Sequence, residues 1–460
     1  MAGVWGACVR PLRMLALSPV PEEGAGCRFR IAQYLPYLES AGIQVTLSPF
    51  FTRDFFRLVY RKGKYPQKAS LFVQRALDRL RTIARRARYD IIFIYREAFP
   101  IGPALLEAVL ARTRGAAVIY DFDDAIYLAN TSEANRAIAI LKWPGKVKTI
   151  IKHSDCVIAG NEYLAEYARR YSDDVRVIPT CVDTSKFVPS GDFTGSSSVR
   201  LPPSHDASAD RRSLGGGGQP DPLELDGPPI VGWIGTPTTA PYLFGLRSVL
   251  QEVARSHRFV LRVCGAGADV EFPGVTVDNV PWTLDKEVSL FNTCDVGVYP
   301  LTDDEWARGK CGFKAIQFMA CGVPVVAAAV GVNRDIIDDG VSGFTAVTPG
   351  EWAEKLGRLI ADPALRARFG EAGRQTIETQ YSLRANVPKL VAAVHEAVER
   401  ARHSLEPLRP FDAAQGGPEV TEGRGAETPS NGGAGGVPVA SKEDATAVAP
   451  VPVGPGAPRA

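Results

Sequence analysis

Short β-rich segments alternate with amphipathic segments along this chain, and the alternation occurs twice, on either side of a segment rich in Gly, Ser and Pro. Such alternation is typical of βαβ units built around a parallel sheet. The 460 residues also exceed what one hydrophobic core usually supports. The pattern therefore predicts an α/β protein with two doubly wound, Rossmann-like domains that face a central cleft.

Each predicted domain contains six strands. In the first half they are Met14–Ser18, Val45–Leu47, Asp90–Tyr95, Ala117–Asp121, Asp155–Ala159 and Val175–Ile178. In the second half they are Ile230–Ile234, Phe259–Val263, Val275–Asp278, Val296–Tyr299, Pro324–Ala328 and a short run near Phe344. Open α/β sheets bind ligands at the carboxyl ends of their strands, so we expect the active site in the shared cleft.

The domain boundaries follow from these strands and from two segments that are poor in large apolar residues. We predict an N-terminal domain over residues 1–189, a flexible linker or insertion over 190–229, and a second domain over 230–382. Residues 404–460 are rich in Gly, Pro, Ala and Glu, a composition that predicts a disordered tail.

A basic segment stands out from a net charge of only +2, because residues 53–88 contain twelve Lys or Arg but two Asp. Aromatic residues between positions 50 and 60 precede a helical pattern with apolar residues on one side, namely Val73, Leu77, Leu80, Ala84 and Ala87. Residues 50–88 are compatible with an anionic membrane surface, or with a core-packed helix whose polar face is basic. No nucleic-acid-binding motif accompanies the charge, so nucleic acid is not an expected partner.

The cysteine content and the apolar runs bear on location. Eight cysteines occur without a CxxC pair or a Cys/His cluster at metal-ligand spacing, which favours a reducing compartment. No secretory signal or membrane-length apolar run is evident in the sequence. We expect a cytoplasmic protein, with peripheral contact at the inner face of the membrane as an open alternative.

The loop after the first strand, residues 18–30, is the first candidate for phosphate binding. Gly24 and Gly26 allow close approach of a ligand to the backbone, and the following helix N-terminus favours anions. Arg28 and Arg30 add positive charge. The alternative is that these glycines serve only the turn.

The segment EWARGKCGFKAIQFMACGVPVVA at 305–327, followed by GVSGF at 340–344, is more specific. It resembles the donor-binding signature of the family-four retaining glycosyltransferases of group 1, which have the GT-B fold. The helix start near Gly312 and Phe313 faces the predicted cleft, Lys310 and Lys314 can neutralise a diphosphate, and Gln317 follows on the same face. The alternative is that the apolar residues of this segment only pack a buried helix and strand.

Two further segments extend the resemblance over most of residues 12–402. Residues 177–189 resemble the end of the family's N-terminal domain, and residues 231–239 resemble the first strand and loop of its donor domain. There the amide after Gly235 and the hydroxyl of Thr236 are candidates for phosphate contacts. The resemblance also implies that residues 1–189 form the acceptor-side domain, that residues 230–382 form the donor-binding domain, and that a C-terminal helix, about 383–402, crosses back to the first domain.

The chain departs from the family at several positions. The family usually carries two glutamates eight positions apart, where this chain has Gly309 and Gln317. Residues 236–242 lack the family's usual cations, so the diphosphate charge must fall to Lys310, Lys314 and the arginines at 28 and 30. The acidic residues at 303–305 are alternative carboxylates near the donor sugar, or simply an exposed acidic turn.

Asp123 and Asp124 follow the strand that ends near Asp121, where donor and acceptor should meet. The family commonly has a histidine in this domain, but none lies near this strand end. Either aspartate is therefore a candidate to accept the acceptor's proton or to hold sugar hydroxyls. The alternative is an N-cap for a helix. Proteins of this fold generally work without a bound metal, so we expect no metal and no other cofactor.

Taken as implied by the resemblance, the function is transfer of a sugar from a nucleotide-diphosphate-sugar donor to an acceptor hydroxyl, with retention. The acceptor would be a saccharide or a lipid-linked group, as in cell-surface polysaccharide or glycolipid synthesis. Two alternatives stay open. They are a nucleotide-sugar epimerase of the same fold and a non-catalytic protein that binds sugar nucleotides.

Overall fold

Two parallel, six-stranded sheets form the framework of the computed structural model, which describes residues 10–59, 61, 63–113, 115–128, 143–190 and 227–403. The first sheet contains β1 (Leu12–Ser18), β2 (Ile43–Pro49), β3 (Ile91–Tyr95), β4 (Ala117–Phe122), β5 (Cys156–Ala159) and β6 (Val175–Val177). The second contains β7 (Ile230–Ile234), β8 (Val260–Cys264), β9 (Thr276–Val280), β10 (Val296–Tyr299), β11 (Val325–Ala328) and β12 (Phe344–Ala346). All twelve predicted strands are confirmed, with small shifts at their ends.

Helices connect these strands. In the first half of the chain they are α1 (Ala25–Arg30), α2 (Leu35–Ser40), α3 (Arg53–Val59), α4 (Tyr65–Ala84), α5 (Leu105–Ala111), α6 (Lys146–Lys152) and α7 (Glu162–Arg169). In the second half they are α8 (Ala240–Gly245), α9 (Arg247–Ser256), α10 (Glu287–Asn292), α11 (Glu305–Arg308), α12 (Phe313–Ala320), α13 (Asn333–Ile336), α14 (Pro349–Ala361), α15 (Pro363–Thr376) and α16 (Leu383–His403). A π-helical turn, Ile377–Tyr381, joins α15 to α16.

The strand order fixes where ligands are expected. The orders are β2-β1-β3-β4-β5-β6 and β12-β11-β10-β7-β8-β9, with every pair parallel. The connections therefore change direction between β1 and β3 in the first sheet and between β7 and β10 in the second. Crevices at the carboxyl ends of such strand pairs are the usual ligand sites of doubly wound sheets.

Each sheet is buried on both faces, as the nearly continuous apolar strands require. Alternate residues of the first sheet contribute to two separate cores, Met14 and Ile91 to one and Leu15 and Ile92 to the other. The long helix α16 covers the first of these faces through Ala393 and other residues on one side. We call the first sheet with its helices and α16 the first lobe, and β7–β12 with their helices the second lobe.

The two lobes contact each other through side chains and at two chain crossings. The first crossing, near residue 182, is where the chain leaves the first lobe, and the second, near residue 382, is where it returns. The rings of Phe29 in α1 and Phe313 in α12 lie 4.4 Å apart, centre to centre. An isolated parallel bridge pairs Val182 with Ser382 at the two crossings. Arg374 of α15 donates to the carbonyl oxygen of Thr184 at 2.8 Å, which anchors the first crossing to the second lobe.

The outer face of α4 tests one of the two interpretations of the basic segment, the core-packed helix, and contact with a membrane stays a prediction. The helix is anchored by buried Arg79, which donates to the carbonyl oxygen of Ser48 at 2.9 Å, and by Ile83. The predicted apolar side instead faces solvent, since Val73, Leu77 and Leu80 are 58%, 49% and 47% exposed. A core-packed apolar side is therefore wrong for these residues.

Several predicted segments lie outside the described residues. These include nearly all of the predicted linker 190–229 and the whole of the predicted tail 404–460. Among the residues that are described, no helix combines the length and apolarity needed to cross a bilayer.

Packing of α16 on the first sheet is tested by placing a carboxylate on either side of the helix. Val394 is fully buried and Ala392 is exposed, so Val394→Asp buries an unpaired charge and Ala392→Asp does not. We expect Val394→Asp to lower the free energy of unfolding by about 3–5 kcal/mol. Ala392→Asp should cost about 0.7 kcal/mol or less. Urea denaturation measures both, and equal effects would contradict this placement of α16.

Candidate functional site

The two glycines predicted to approach a phosphate are explained by packing within the first lobe. A Cβ on Gly26 would lie 2.1 Å from the hydroxyl oxygen of Tyr95, the last residue of β3. A Cβ on Gly24 would lie 2.9 Å from Cγ2 of Val20. Glycine at these positions lets the start of α1 pack closely on the sheet. A donor-binding role for either one stays a prediction.

Arg30 is paired with groups of the first lobe. Its guanidinium is 3% exposed, and its Nε donates to Oδ2 of Asp121 at 3.0 Å. Its Nη1 donates to the carbonyl oxygen of Ile178 at 2.8 Å. Arg30 is therefore a buried residue that ties α1 to the ends of β4 and β6, and its contact with the diphosphate stays a prediction.

Arg28, two residues earlier, reaches the second lobe. Its Nη2 lies 3.1 and 3.0 Å from the two carboxylate oxygens of Glu287, the first residue of α10. The side chains of Arg28 and Glu287 are 15% and 8% exposed. A buried charge is costly unless it is paired, so the ion pair explains how Arg28 and Glu287 can both be buried at the junction of the lobes.

Two predicted donor residues of α12 extend this contact. Nζ of Lys314 donates to Oε1 of Gln317 at 2.7 Å, and Nε2 of Gln317 lies 3.4 Å from Oε1 of Glu287. We call these four residues the Glu287 cluster, which consists of Arg28, Glu287, Lys314 and Gln317. The structure therefore brings Arg28, Lys314 and Gln317 together, and their contact with the donor stays a prediction.

The local chain explains the position of Lys314. Gly312 has a left-handed φ of 62° and stands directly before the first turn of α12, where a side chain would meet Ile336. Phe313 packs on Phe29 of the first lobe and fixes that turn between the lobes. Burial lowers the pKa of Lys314 to about 8, an effect that Glu287 opposes and Arg28 reinforces.

Asp123 and Asp124 form a second group of charges at the end of β4. Both are held by Arg96, whose Nη2 lies 2.6 Å from Oδ1 of Asp123 and also pairs with Asp124. The hydroxyl of Tyr95 donates to Oδ1 of Asp123 at 2.9 Å. The two carboxylates are thus fixed side by side, 12% and 24% exposed.

The surroundings of these aspartates shift their pKa values in opposite directions. Burial raises the pKa of Asp123, but Arg96, Arg30 and the hydrogen bonds from Arg96 and Tyr95 outweigh it, so the pKa is lowered. Burial and the charge of Asp123 together keep the pKa of Asp124 raised, against Arg96 and Lys310. Paired groups with diverging pKa values are typical of acid and base assignments, and here Asp124 is the better proton acceptor.

The backbone of Arg96 is strained. Its φ is 59°, and Lys64 is the other described non-glycine residue with a positive φ. The carbonyl oxygen of Arg96 accepts a hydrogen bond from the hydroxyl of Tyr120 at 3.0 Å, and its amide donates to the carbonyl of Asp121. Strain of this kind concentrates at functional sites, where the surrounding structure maintains it.

Lys310 and its neighbours bring the second lobe against this pair. Nζ of Lys310 lies 5.7 Å from the ring centre of Trp306, and its charge acts on Asp124. Sγ of Cys311 donates to the carbonyl oxygen of Asp123 at 3.1 Å. Nδ2 of Asn161 donates to the Lys310 carbonyl at 3.0 Å.

The contact between the loop before α12 and the end of β4 explains why the chain has Gly309 where the family usually has its first glutamate. A Cβ on Gly309 would lie 2.6 Å from Cβ of Ala125 and 3.1 Å from its amide nitrogen. A glutamate at position 309 therefore has no room while the lobes are in contact here. The loop can approach the end of β4 closely because residue 309 is a glycine and has no side chain.

The other predicted groups have local roles. Asp304 caps α11 by accepting from the amide of Ala307 at 2.7 Å, Asp303 pairs with Arg308 on the surface, and Glu305 is exposed.

The loop after β7 contains the last two predicted donor contacts, Gly235 and Thr236. A side chain on Gly235 would meet the ring of Trp233 at 2.3 Å. The hydroxyl of exposed Thr236 lies 2.8 Å from that of Thr238. Contact of Gly235 or Thr236 with the donor stays a prediction.

Sequence reasoning missed Arg96, Tyr95 and Glu287. Arg96 directly follows a buried strand, and a charged residue at that position is a signal that was available. Glu287 carries no such signal, because only the fold brings it to Arg28, 259 positions away. Within the described ranges, no group of three or more His, Cys, Asp or Glu side chains is arranged to hold a metal ion.

The strain at Arg96 is tested by two substitutions that remove the same side chain. Both Arg96→Ala and Arg96→Gly abolish the ion pairs with the aspartates, but glycine adopts a positive φ without steric cost. We expect Arg96→Gly to be more stable than Arg96→Ala by about 0.5–1 kcal/mol, the reverse of the usual order. Urea denaturation measures the difference, and a more stable alanine variant would contradict the strained geometry.

Comparison with known families matches both lobes. A family model described as Glycosyltransferase Family 4 matches residues 29–186, and one described as Glycosyl transferases group 1 matches residues 228–362. Together the two models cover more than half of the chain, with one in each lobe.

Similar curated proteins include two named D-inositol 3-phosphate glycosyltransferase. The one from Stackebrandtia nassauensis is 26% identical over 277 residues, which is 55% of this chain and 56% of that protein. The one from Salinispora tropica is 34% identical over 127 residues, which is 27% of this chain and 25% of that protein. The chain therefore matches between a quarter and just over half the length of these relatives.

Solved structures agree on the fold. Sucrose-phosphate synthase from Thermosynechococcus elongatus has a TM-score of 0.57 at 17% identity, covering 85% of this chain and all of that one. Anabaena HepE, solved with UDP and glucose, has a TM-score of 0.55 at 16% identity, covering 86% of this chain and all of that one. These similarities show the two-domain GT-B fold, and with the family matches they establish that the chain belongs to the group 1 glycosyltransferases of the family-four type.

Proposed function

We propose that this protein transfers a sugar from a nucleotide-diphosphate-sugar donor to an acceptor hydroxyl, with retention at the anomeric carbon. The observation that carries the proposal is the convergence of Arg28 from the first lobe and Lys314 from the second on one site between the lobes. A diphosphate needs fixed positive charge, and a site closed between two lobes strengthens each contact by excluding water. Anabaena HepE, which has the same fold, was solved with UDP and with UDP-glucose, which supports a nucleotide-sugar donor here.

The proposed reaction places the leaving group at the Glu287 cluster. The bond between the anomeric carbon and the diphosphate oxygen breaks, and the departing negative charge is stabilised by Arg28, Lys314 and the start of α12. The acceptor oxygen bonds to the anomeric carbon on the same side. Its proton passes to Asp124, whose raised pKa suits a proton acceptor better than that of Asp123. We expect no metal, because these groups already supply the positive charge.

The transferase, the epimerase and the non-catalytic binding protein differ in whether they need an acceptor and whether they release nucleoside diphosphate. An epimerase consumes no acceptor, whereas a transferase releases free nucleoside diphosphate when an acceptor is supplied. A non-catalytic binding protein does neither. The family match in both lobes favours transfer over both alternatives.

Activity is tested in two steps. A panel of UDP, GDP, ADP and dTDP and their sugars should contain one member that raises the melting temperature by several degrees, because it binds the native state only. With that donor, release of nucleoside diphosphate should require an acceptor. D-inositol 3-phosphate, named in the relatives, and a lipid-linked saccharide test the two acceptor classes.

Asp124→Asn should lower kcat about 100-fold or more, which is the usual contribution of a general base. Asp303→Asn, a surface carboxylate paired with Arg308, should change kcat by less than about twofold and is the matched control. Equal activity of Asp124→Asn and wild type would remove Asp124 from the mechanism. No turnover with any donor and acceptor, together with donor binding, would favour the non-catalytic alternative.

We further propose that α4 rests on an anionic membrane surface at the inner face of the membrane, where it would bring the active site to a lipid-linked acceptor. Tyr65, Val73, Leu77 and Leu80 form an exposed stripe along the helix, between 47% and 75% exposed. Exposed basic residues flank it, namely Lys64, Arg81, Arg85 and Arg88. An apolar stripe with basic flanks suits the boundary between lipid headgroups and acyl chains. Such an acceptor would fit glycolipid or cell-surface polysaccharide synthesis.

Vesicle sedimentation tests this surface. Wild-type protein should bind vesicles that contain phosphatidylserine, bind neutral vesicles much less, and release with salt. The pair Leu77→Asp and Leu80→Asp should weaken binding at least about tenfold, because two apolar side chains are lost and two negative charges are gained. Val347→Asp, which changes a 67% exposed apolar residue in the second lobe, is the control and should bind like wild type. Equal binding of all variants would contradict the assignment of α4.

A further inference from the structure

Gln317 stands where the family pattern has its second glutamate, and its amide bridges two charged groups. The side chain is fully buried. Its Oε1 accepts from Lys314 at 2.7 Å, and its Nε2 faces Oε1 of Glu287 at 3.4 Å. An amide fits this position because one end accepts and the other donates. A glutamate at position 317 would instead place a second negative charge against Glu287.

Glu287 supplies the missing charge from a different helix. It begins α10, whereas Gln317 lies in α12, and the two side chains meet at the junction of the lobes. The carboxylate binds Arg28 directly and reaches Lys314 through the amide of Gln317. One negative charge is therefore shared by a cation from each lobe.

We propose that Glu287 supplies the donor-site carboxylate that the resemblance places at position 317, and that it is a positioning residue which holds Arg28 and Lys314 together for the donor diphosphate. Glu287 and Gln317 are then an exchanged pair, with the carboxylate and the amide on opposite sides of one contact. This inference rests on the proposed nucleotide-sugar site and assigns two of its residues.

Arg28 and Lys314 both keep hydrogen-bond donors that are not used within the Glu287 cluster. Nε of Arg28 is buried and has no hydrogen-bond partner in the part of the chain that the structure describes. Nζ of Lys314 uses one of its three donors on Gln317 and lies 5.2 Å from the ring centre of Phe291. Nζ of Lys314 can therefore donate to phosphate oxygens without losing the contact that orients it, and Nε of Arg28 is left with an unused donor at the same junction.

Glu287 also keeps Lys314 charged. The groups that act on this ammonium are Glu287 of α10, Arg28 of α1 and the thiol of Cys264 in β8. Burial lowers the pKa of Lys314 to about 8, and Glu287 counteracts the lowering. Diphosphate affinity should therefore be high below pH 8 and fall as the pH rises through that value. Without the charge of Glu287, the fall should begin at lower pH.

The test is a set of four full-length chains, which are wild type, Glu287→Gln, Gln317→Glu and the double variant. Inorganic pyrophosphate is the probe, because it carries the diphosphate without a base or a sugar. Isothermal titration at several pH values should show each single variant binding about tenfold more weakly at neutral pH. The double variant, which restores one carboxylate and one amide, should return to within about threefold of wild type. Glu354→Gln, an exposed carboxylate of α14, is the control and should bind like wild type.

The pH profile separates positioning from a loss of structure. Glu287→Gln should move the alkaline fall in affinity to lower pH, which a merely loosened fold would not do. A Glu287→Gln variant with wild-type affinity, or a double variant as weak as Glu287→Gln, contradicts this inference alone. A wild-type chain that binds neither pyrophosphate nor any nucleoside diphosphate contradicts the proposed function as well.

Discussion

The ion pair between Arg28 and Glu287 joins the two lobes beside the carboxyl ends of both sheets. Its partners are 259 positions apart in the chain, and both are mostly buried. Burial of such a pair is costly unless it is well hydrogen-bonded, so the pair is better understood as setting the geometry of a site than as a source of stability. In the site that we propose, Arg28 faces the diphosphate from one lobe and Lys314 from the other, and Glu287 sets their separation through its contacts with Arg28 and Gln317.

A second contact between the lobes complements the first. Gly309 packs on Ala125, and Cys311 donates to the Asp123 carbonyl, so the loop before α12 closes against the end of β4. The aspartates that we assign to the acceptor side and the cations that we assign to the leaving group are thereby placed on facing edges. The absence of a glutamate at position 309 follows from this close approach, since a side chain there would separate the lobes.

The fold could be predicted almost completely from the sequence, and the site only partly. Apolar runs marked the central strands because parallel strands inside a sheet are buried on both faces. Lys314 and Gln317 were found because they lie in a contiguous motif that ends in a buried helix and strand. Glu287 and Arg96 were missed because their partners are distant in sequence, and pairing of that kind appears only in three dimensions. The pairing of Arg30 with Asp121 was not predicted, because local spacing does not show whether a cation faces the cleft or a buried carboxylate. The apolar side of α4 was visible in the sequence, but only the structure shows that it faces solvent.

The central claim is that cations from both lobes bind one diphosphate at the Glu287 cluster. A crystal structure of the full chain with the nucleoside diphosphate that it binds most tightly tests this directly. We predict phosphate oxygens within hydrogen-bonding distance of Arg28 and Lys314, with Glu287 and Gln317 still in contact behind them. A diphosphate bound elsewhere, with both cations turned away from it, would contradict the account.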